Sequence, residues 1–175
     1  MYGTTYTGGT NGRGCVYKLD TAGTETVVYN FTGGSDGGLP FAGLTLDLDG
    51  NLYGTTAYGG AFNFGTVYEV NTAGIETVLH SFEGGSDGAT PHAAVVRDSV
   101  GDLYGTTYYG GSANLGTLFR ISSDGTETLL HVFLGGGKDN DALEPTGDLT
   151  RDSDGNLYGT TYGPGGVVFK LGITH

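Results

Sequence analysis

Several groups of side chains in this 175-residue chain have types and spacings that could do chemistry. Asp47, Asp49 and Asn51, and again Asp152, Asp154 and Asn156, set oxygen ligands at alternate positions, as the first half of a calcium loop does. Calcium takes six to eight oxygens and usually a bidentate carboxylate twelve positions into the loop. Counted from Asp47, that position is Tyr58, and Val100 interrupts the pattern in the middle copy. An Asp-Gly turn explains the same residues, so turn formation leads and calcium stands behind it as a candidate cofactor. Arg97 and Arg151 share one repeat position, next to Asp98 and Asp152. They could hold an anion together, although ion pairing with the adjacent aspartates is the simpler expectation.

Other candidates follow the same logic. Tyr58 and Tyr109 adjoin Gly-Gly pairs and are expected to be exposed, where a tyrosine ring could stack on a sugar. With Arg97 and Arg151 they form the candidate ligand-binding set. The loops around Ser35-Asp36 and Ser86-Asp87 could offer backbone amides to an anion, though a solvated loop fits a chain of net charge −12 better. His80 and His131 share the repeat position of Tyr29, while His92 and His175 have no repeat partners, and none offers the convergent spacing zinc requires. Cys15 is a lone cysteine whose repeat positions elsewhere hold Thr66, Thr117 and Val167, so it reads as a small strand residue. No matched acid and base emerges, and no catalytic residue is assigned. If an activity exists, Glu144 with Lys138, Asp139 and Asp141 is the place to look, because that loop breaks the repeat length.

What positions these residues is a repeat. Tyr2-Gly-Thr-Thr5 returns at Tyr53, Tyr104 and Tyr158, at spacings of 51, 51 and 54 residues. The units run 1–51, 52–102, 103–156 and, in part, 157–175. In the second unit, strands are expected over 52–57, 66–70, 76–82 and 93–98, separated by glycine-rich turns. The Asp-Gly pairs at Asp49-Gly50 and Asp154-Gly155 mark tight hairpins. With 36 glycines and no sustained 3.6-residue period, helices are disfavoured. The expectation is all-β: a β-propeller-like array of four-stranded antiparallel blades, about three and a half blades and fourteen strands. The tyrosines at 2, 53, 104 and 158, and those at 6, 108 and 162, recur in every or nearly every unit and are expected to pack between blades.

Charge and hydropathy exclude some classes. Seven basic residues against nineteen acidic ones offer no cluster for nucleic acid, and no apolar run is long enough to insert in a membrane. The chain has no tryptophan, so the WD dipeptide and the kelch tryptophan are missing. Asp47–Tyr53 and Asp152–Tyr158 resemble the first hairpin of NHL-type blades. The full word order, Leu-Tyr-Gly-Thr-Thr, Gly-Gly, Gly-Thr-Val-Tyr, Glu-Thr-Val-Leu, Gly-Gly-Ser-Asp-Gly and Pro, resembles the GloVer tandem repeat of bacterial choice-of-anchor proteins. That resemblance implies an exported or cell-surface protein without a known catalytic residue. It points to a non-enzymatic scaffold that offers a protein- or glycan-binding surface. A propeller-class lyase or glycoside-active enzyme and a calcium-dependent adhesion module are the alternatives. Because Met1 stands in the middle of a unit, the chain is expected to be a fragment or partial ring, one that self-associates or belongs to a longer parent.

Overall fold

A computed structural model describes residues 1–135, 143–162 and 166–173. They form fourteen strands in four antiparallel sheets, with a single turn of 3-10 helix at Gly85–Asp87. The first sheet holds β1 (Tyr2–Thr5), β2 (Cys15–Leu19) and β3 (Glu25–Asn30). The second holds β4 (Thr45–Leu46), β5 (Leu52–Thr56), β6 (Thr66–Val70) and β7 (Glu76–Ser81). The third repeats it as β8 (Val96–Arg97), β9 (Leu103–Thr107), β10 (Thr117–Ile121) and β11 (Glu127–Val132). The last has β12 (Thr150–Arg151), β13 (Leu157–Thr160) and β14 (Val168–Leu171). Neighbours in each sheet are consecutive in the chain, so every sheet is a meander of propeller-blade type, and the array is a partial propeller.

The glycine of each Tyr-Gly-Thr motif is a packing requirement. Gly3, Gly54, Gly105 and Gly159 pair in register with Tyr17, Tyr68, Phe119 and Phe169 on the next strand. Each ring lies across its glycine: a Cβ on Gly54 would stand 2.5 Å from the Tyr68 hydroxyl, and one on Gly105 2.5 Å from Phe119 Cζ. The aromatic thus supplies the surface that the glycine lacks.

The covered rings then receive a second ring from the preceding sheet. Phe31, Phe82 and Phe133 follow the last strands of the first three sheets and are fully buried. They meet Tyr68, Phe119 and Phe169 of the following sheets edge to face, at 5.0, 5.1 and 5.3 Å between centroids. Each such pair is worth about 0.5–1.5 kcal/mol beyond the area it buries. Around each pair gathers one apolar cluster, such as Tyr53, Val67, Val95, Leu103 and Ile121 around Phe82 and Phe119. Where no sheet packs, the same position is open: Val168 is 76% exposed, whereas Val16, Val67 and Leu118 are buried.

Polar groups join the sheets too. The linker that enters each sheet carries Leu39, Thr90 or Glu144, all at φ near 55° with a side chain in the left-handed region. That conformation costs a non-glycine residue about 1–2 kcal/mol. It persists because each residue bridges two sheets. Thr90 donates its N–H to Phe64 O of the second sheet's loop and accepts at its carbonyl from Tyr108 N–H of the third. Leu39 makes the same pair of bonds with Arg13 and Ala57, and Glu144 with Leu115 and Tyr162. Hydroxyls of the Thr-Thr motif add Thr4 Oγ1 to Ala42 O at 2.7 Å and Thr55 Oγ1 to Ala93 O at 3.0 Å. These bonds shorten the strand expected over 93–98. Ala93 and Val95 spend their carbonyls on Thr55 and Thr45 of the neighbouring sheet, leaving a two-residue ladder at Val96–Arg97.

Phe82→Ala is therefore expected to remove about 3–5 kcal/mol of stability, lowering the melting temperature by roughly ten degrees in a chain of this size. Tyr162→Ala, at a ring 74% exposed, should leave it within about 0.5 kcal/mol. Thermal denaturation followed by circular dichroism reads both.

Candidate functional site

Because the strands alternate in direction, the connections divide between two ends of the array. Tight turns such as 47–51 and 71–75 occupy one end. The Gly-Gly loops (57–65 and its copies) and the linkers between sheets occupy the other.

At the turn end, the Asp-Gly hairpins are closed by their own first aspartate. Asp47 Oδ1 accepts from the amides of Asp49 and Asn51, while Oδ2 accepts from Asn51 Nδ2 and from Tyr53 Oη at 3.1 Å. Asp152 repeats all four bonds with Asp154, Asn156 and Tyr158. Buried Asp98 accepts from the amides of Val100, Gly101 and Asp102 and from Tyr104 Oη. The calcium candidates therefore face turn donors, and Asp49 and Asp154 contribute backbone amides to those turns. Among the described residues, no three acids, histidines or cysteines come together in a way that could hold a metal ion.

The arginines depart from expectation. Neither Arg97 nor Arg151 forms an ion pair with its neighbouring aspartate, because that carboxylate turns into the hairpin. Adjacent strand residues also point to opposite faces. Arg97 instead reaches back over the Tyr53 ring, 5.3 Å from its centroid, and lines a cleft of about 110 Å³ with Glu69 and Leu79. Arg151 is half-buried with no hydrogen-bond partner at Nε. The two are not brought to one site.

At the loop end, Asp36 and Asp87 close the Gly-Gly-Ser-Asp-Gly loops. Asp87 accepts from the Glu83 amide at 2.6 Å and lies 3.2 Å from His80 Nε2. Asp36 accepts from the Thr32 amide and from Tyr29 Oη at 3.0 Å. The amides of Gly33 and Gly84 are spent on Gly37 and Gly88. These loops are therefore not open anion nests, and His80 is a loop anchor packed against Phe82. Buried Cys15 sits against Thr5 Oγ1, in the position of the Thr56–Thr66 hydroxyl pair.

Sequence periodicity misplaced one set of rings. Tyr6 is 45% and Tyr162 74% exposed, and Tyr108 is only half-buried. These residues follow the last ladder pair of their strands, so they leave the sheet interface and stand on the loop end. There Tyr6 and Tyr108 join a row that crosses three sheets. Tyr6 meets Phe41 edge-on at 5.1 Å, Phe41 stacks on His92 at 4.6 Å, His92 lies 4.7 Å from Tyr108, and Tyr108 meets Tyr109 at 4.6 Å. Tyr58 and Tyr109 are exposed as expected. Phe41 and His92 were not foreseen, although both follow the proline of their linkers. Tyr108 donates to Glu144 Oε2 at 3.0 Å. Burial first, then that bond, push its phenol up to about 12. Lys138, Asp139, Asp141 and His175 lie outside the described residues.

Buried acids set the pH dependence. Burial, then the charge of Asp36, push Glu76 up to about 7, and its Oε1 has no partner. The side-chain amide of Asn156, the Tyr158 hydroxyl and the turn amides hold Asp152 down at about 2. Asp152 is lowered by folding, so its stabilisation is present above its ordinary 3.8 and is lost as pH falls toward 2. Glu76 is raised, so stability is full below 4.5 and is lost as pH rises through 7. Melting temperature should peak at about pH 4–5. Glu76→Gln should flatten the decline between 4.5 and 7; an unchanged decline contradicts this account.

Solved structures that share this architecture include two candidate lactonases and a bacterial surface component. A candidate gluconolactonase is 15% identical, with a TM-score of 0.51, over 88% of this chain and 52% of its own. PorZ, an essential surface component of the type-IX secretion system of Porphyromonas gingivalis, is 16% identical with a TM-score of 0.53, over 94% and 25%. A candidate 6-phosphogluconolactonase from Bacteroides uniformis is 16% identical with a TM-score of 0.53, over 99% and 55%. Such identities show the fold alone, and the chain spans only about a quarter to a half of these proteins. No curated protein matches it. The family model of the Gloeobacter/Verrucomicrobia repeat matches residues 1–174, and the chain belongs to that family.

Proposed function

We propose that this chain is a non-enzymatic binding scaffold of an exported or surface protein, and that its loop end holds glycans. The observation that carries this reading is the row Tyr6–Phe41–His92–Tyr108–Tyr109. Rings as exposed as Tyr6, Phe41 and Tyr109 cost solvation, and a contiguous patch of aromatic rings marks an interaction site. The rings also present faces and hydroxyls side by side, which suits the alternating C–H and O–H surface of a pyranose. The surface role of PorZ agrees with this reading without extending to this chain.

An enzyme is the second reading, favoured by the Tyr108–Glu144 pair in the loop that breaks the repeat. A phenol raised to about 12 stays protonated at neutral pH and offers no base, so the pair serves better as a brace for the row. On a polysaccharide affinity gel the chain should be retarded by a neutral glucan, galactan or mannan. Phe41→Ala should weaken that retardation about tenfold without changing the melting temperature. Passage through every gel without delay, or an unchanged Phe41→Ala, defeats the glycan reading. Turnover of a sugar lactone or polysaccharide that disappears in Glu144→Gln supports the enzyme instead.

A further inference from the structure

We propose that the cleft between the first two sheets at the loop end binds the carboxylate of an acidic sugar, with Arg13 as its ionic partner and Tyr58 as its stacking surface. The inference rests on the reading of the loop end as a glycan surface. The cleft has a volume of about 320 Å³ and is lined by Arg13, Gly33, Gly38, Leu39, Tyr58 and Asn63, enough for one sugar residue.

Arg13 is a departure from the repeat. The second and third units hold Phe64 and Leu115 at its position. All three side chains cover the first glycine of the loop that follows. A Cβ on Gly33 would lie 2.9 Å from the Arg13 stem, one on Gly84 2.8 Å from Phe64, and one on Gly135 2.6 Å from Leu115. The aliphatic stem of Arg13 thus keeps the packing role of an apolar residue, and the guanidinium is added at the cleft. That charge is unspent. Among the described residues the ion pairs are His80–Asp87 and Arg120–Asp102. Among the described residues Arg13 has neither a carboxylate partner nor a side-chain hydrogen bond.

The remaining lining defines the ligand. The amides of Gly33, Gly38 and Leu39 are committed to Gly37, Tyr58 and Arg13 carbonyls. Asn63 Oδ1 accepts from the Gly59 amide at 3.1 Å, which leaves Nδ2 outward as a donor. Open polar capacity is therefore a planar guanidinium fork, an amide N–H and the Tyr58 hydroxyl, with no acid in the lining. This set matches a carboxylate. A doubly charged phosphate would meet more repulsion from the surrounding negative field than a single carboxylate does. The Tyr58 ring, 46% exposed, lines the same cleft as Arg13, so the ligand carries its carboxylate on a ring that can stack.

The test titrates the chain, by calorimetry or amide NMR, with matched oligosaccharides of gluco, galacto and manno configuration. Each neutral one is paired with its C6-carboxylate counterpart. At least one acidic member should bind about tenfold more tightly than its neutral twin. Arg13→Phe, which installs the residue of the next repeat, should abolish the preference while leaving the melting temperature unchanged. Tyr58→Ala should weaken the acidic member. Equal binding of both members of every pair, or a preference that survives Arg13→Phe, overturns the assignment and leaves the glycan reading standing. Binding of neither kind overturns both.

Discussion

Each sheet of this chain has two apolar faces, and three or four short strands cannot hide either face alone. The contact that solves this is an aromatic ring carried past the end of one sheet and set edge-on against a ring of the next. Phe31 on Tyr68, Phe82 on Phe119 and Phe133 on Phe169 are the same event three times. The receiving ring lies flat because the strand beside it has a glycine, so the Tyr-Gly-Thr motif of one sheet and the phenylalanine that follows the sheet before it are two halves of one device.

The polar groups follow from that stacking. Once two sheets stand at a fixed separation, the linker between them must turn within a few residues, and it does so through a left-handed Leu39, Thr90 or Glu144. The strain is held by backbone bonds to both sheets at once. Tyr53 and Tyr104 occupy matching places, buried in the stack with their hydroxyls on Asp47 and Asp98. The same aspartates close the hairpins, so the residues that resemble calcium ligands are employed in joining a turn to the core.

Much of this was legible in the sequence. Spacing revealed the strands, their partition into sheets of three, four, four and three, and the buried role of Tyr53 and Tyr104. What misled was the assumption that repetition means burial. Tyr6, Tyr108 and Tyr162 recur in three of the four units, with Ala57 in the other, yet they sit just beyond the ladder, where the chain leaves the interface. Alternation could not flag it, since a spacing of four puts them on the same strand face as Tyr2, Tyr104 and Tyr158, but outside the paired register. The left-handed linkers carry no compositional sign, because leucine, threonine and glutamate announce no turn. Arg13 was legible and overlooked: aligned against Phe64 and Leu115, it is a cation in an apolar position. The array keeps its sheets uniform and varies its loops.

The central claim is that ring-on-ring contact between sheets holds the stack, and a double-mutant cycle across Phe82 and Phe119 tests it most directly. Denaturant unfolding of Phe82→Leu, Phe119→Leu and the double variant should give a coupling energy of about 0.5–1.5 kcal/mol between the two rings. Strict additivity, with the two substitutions independent to within about 0.3 kcal/mol, would mean that the sheets are held by something else.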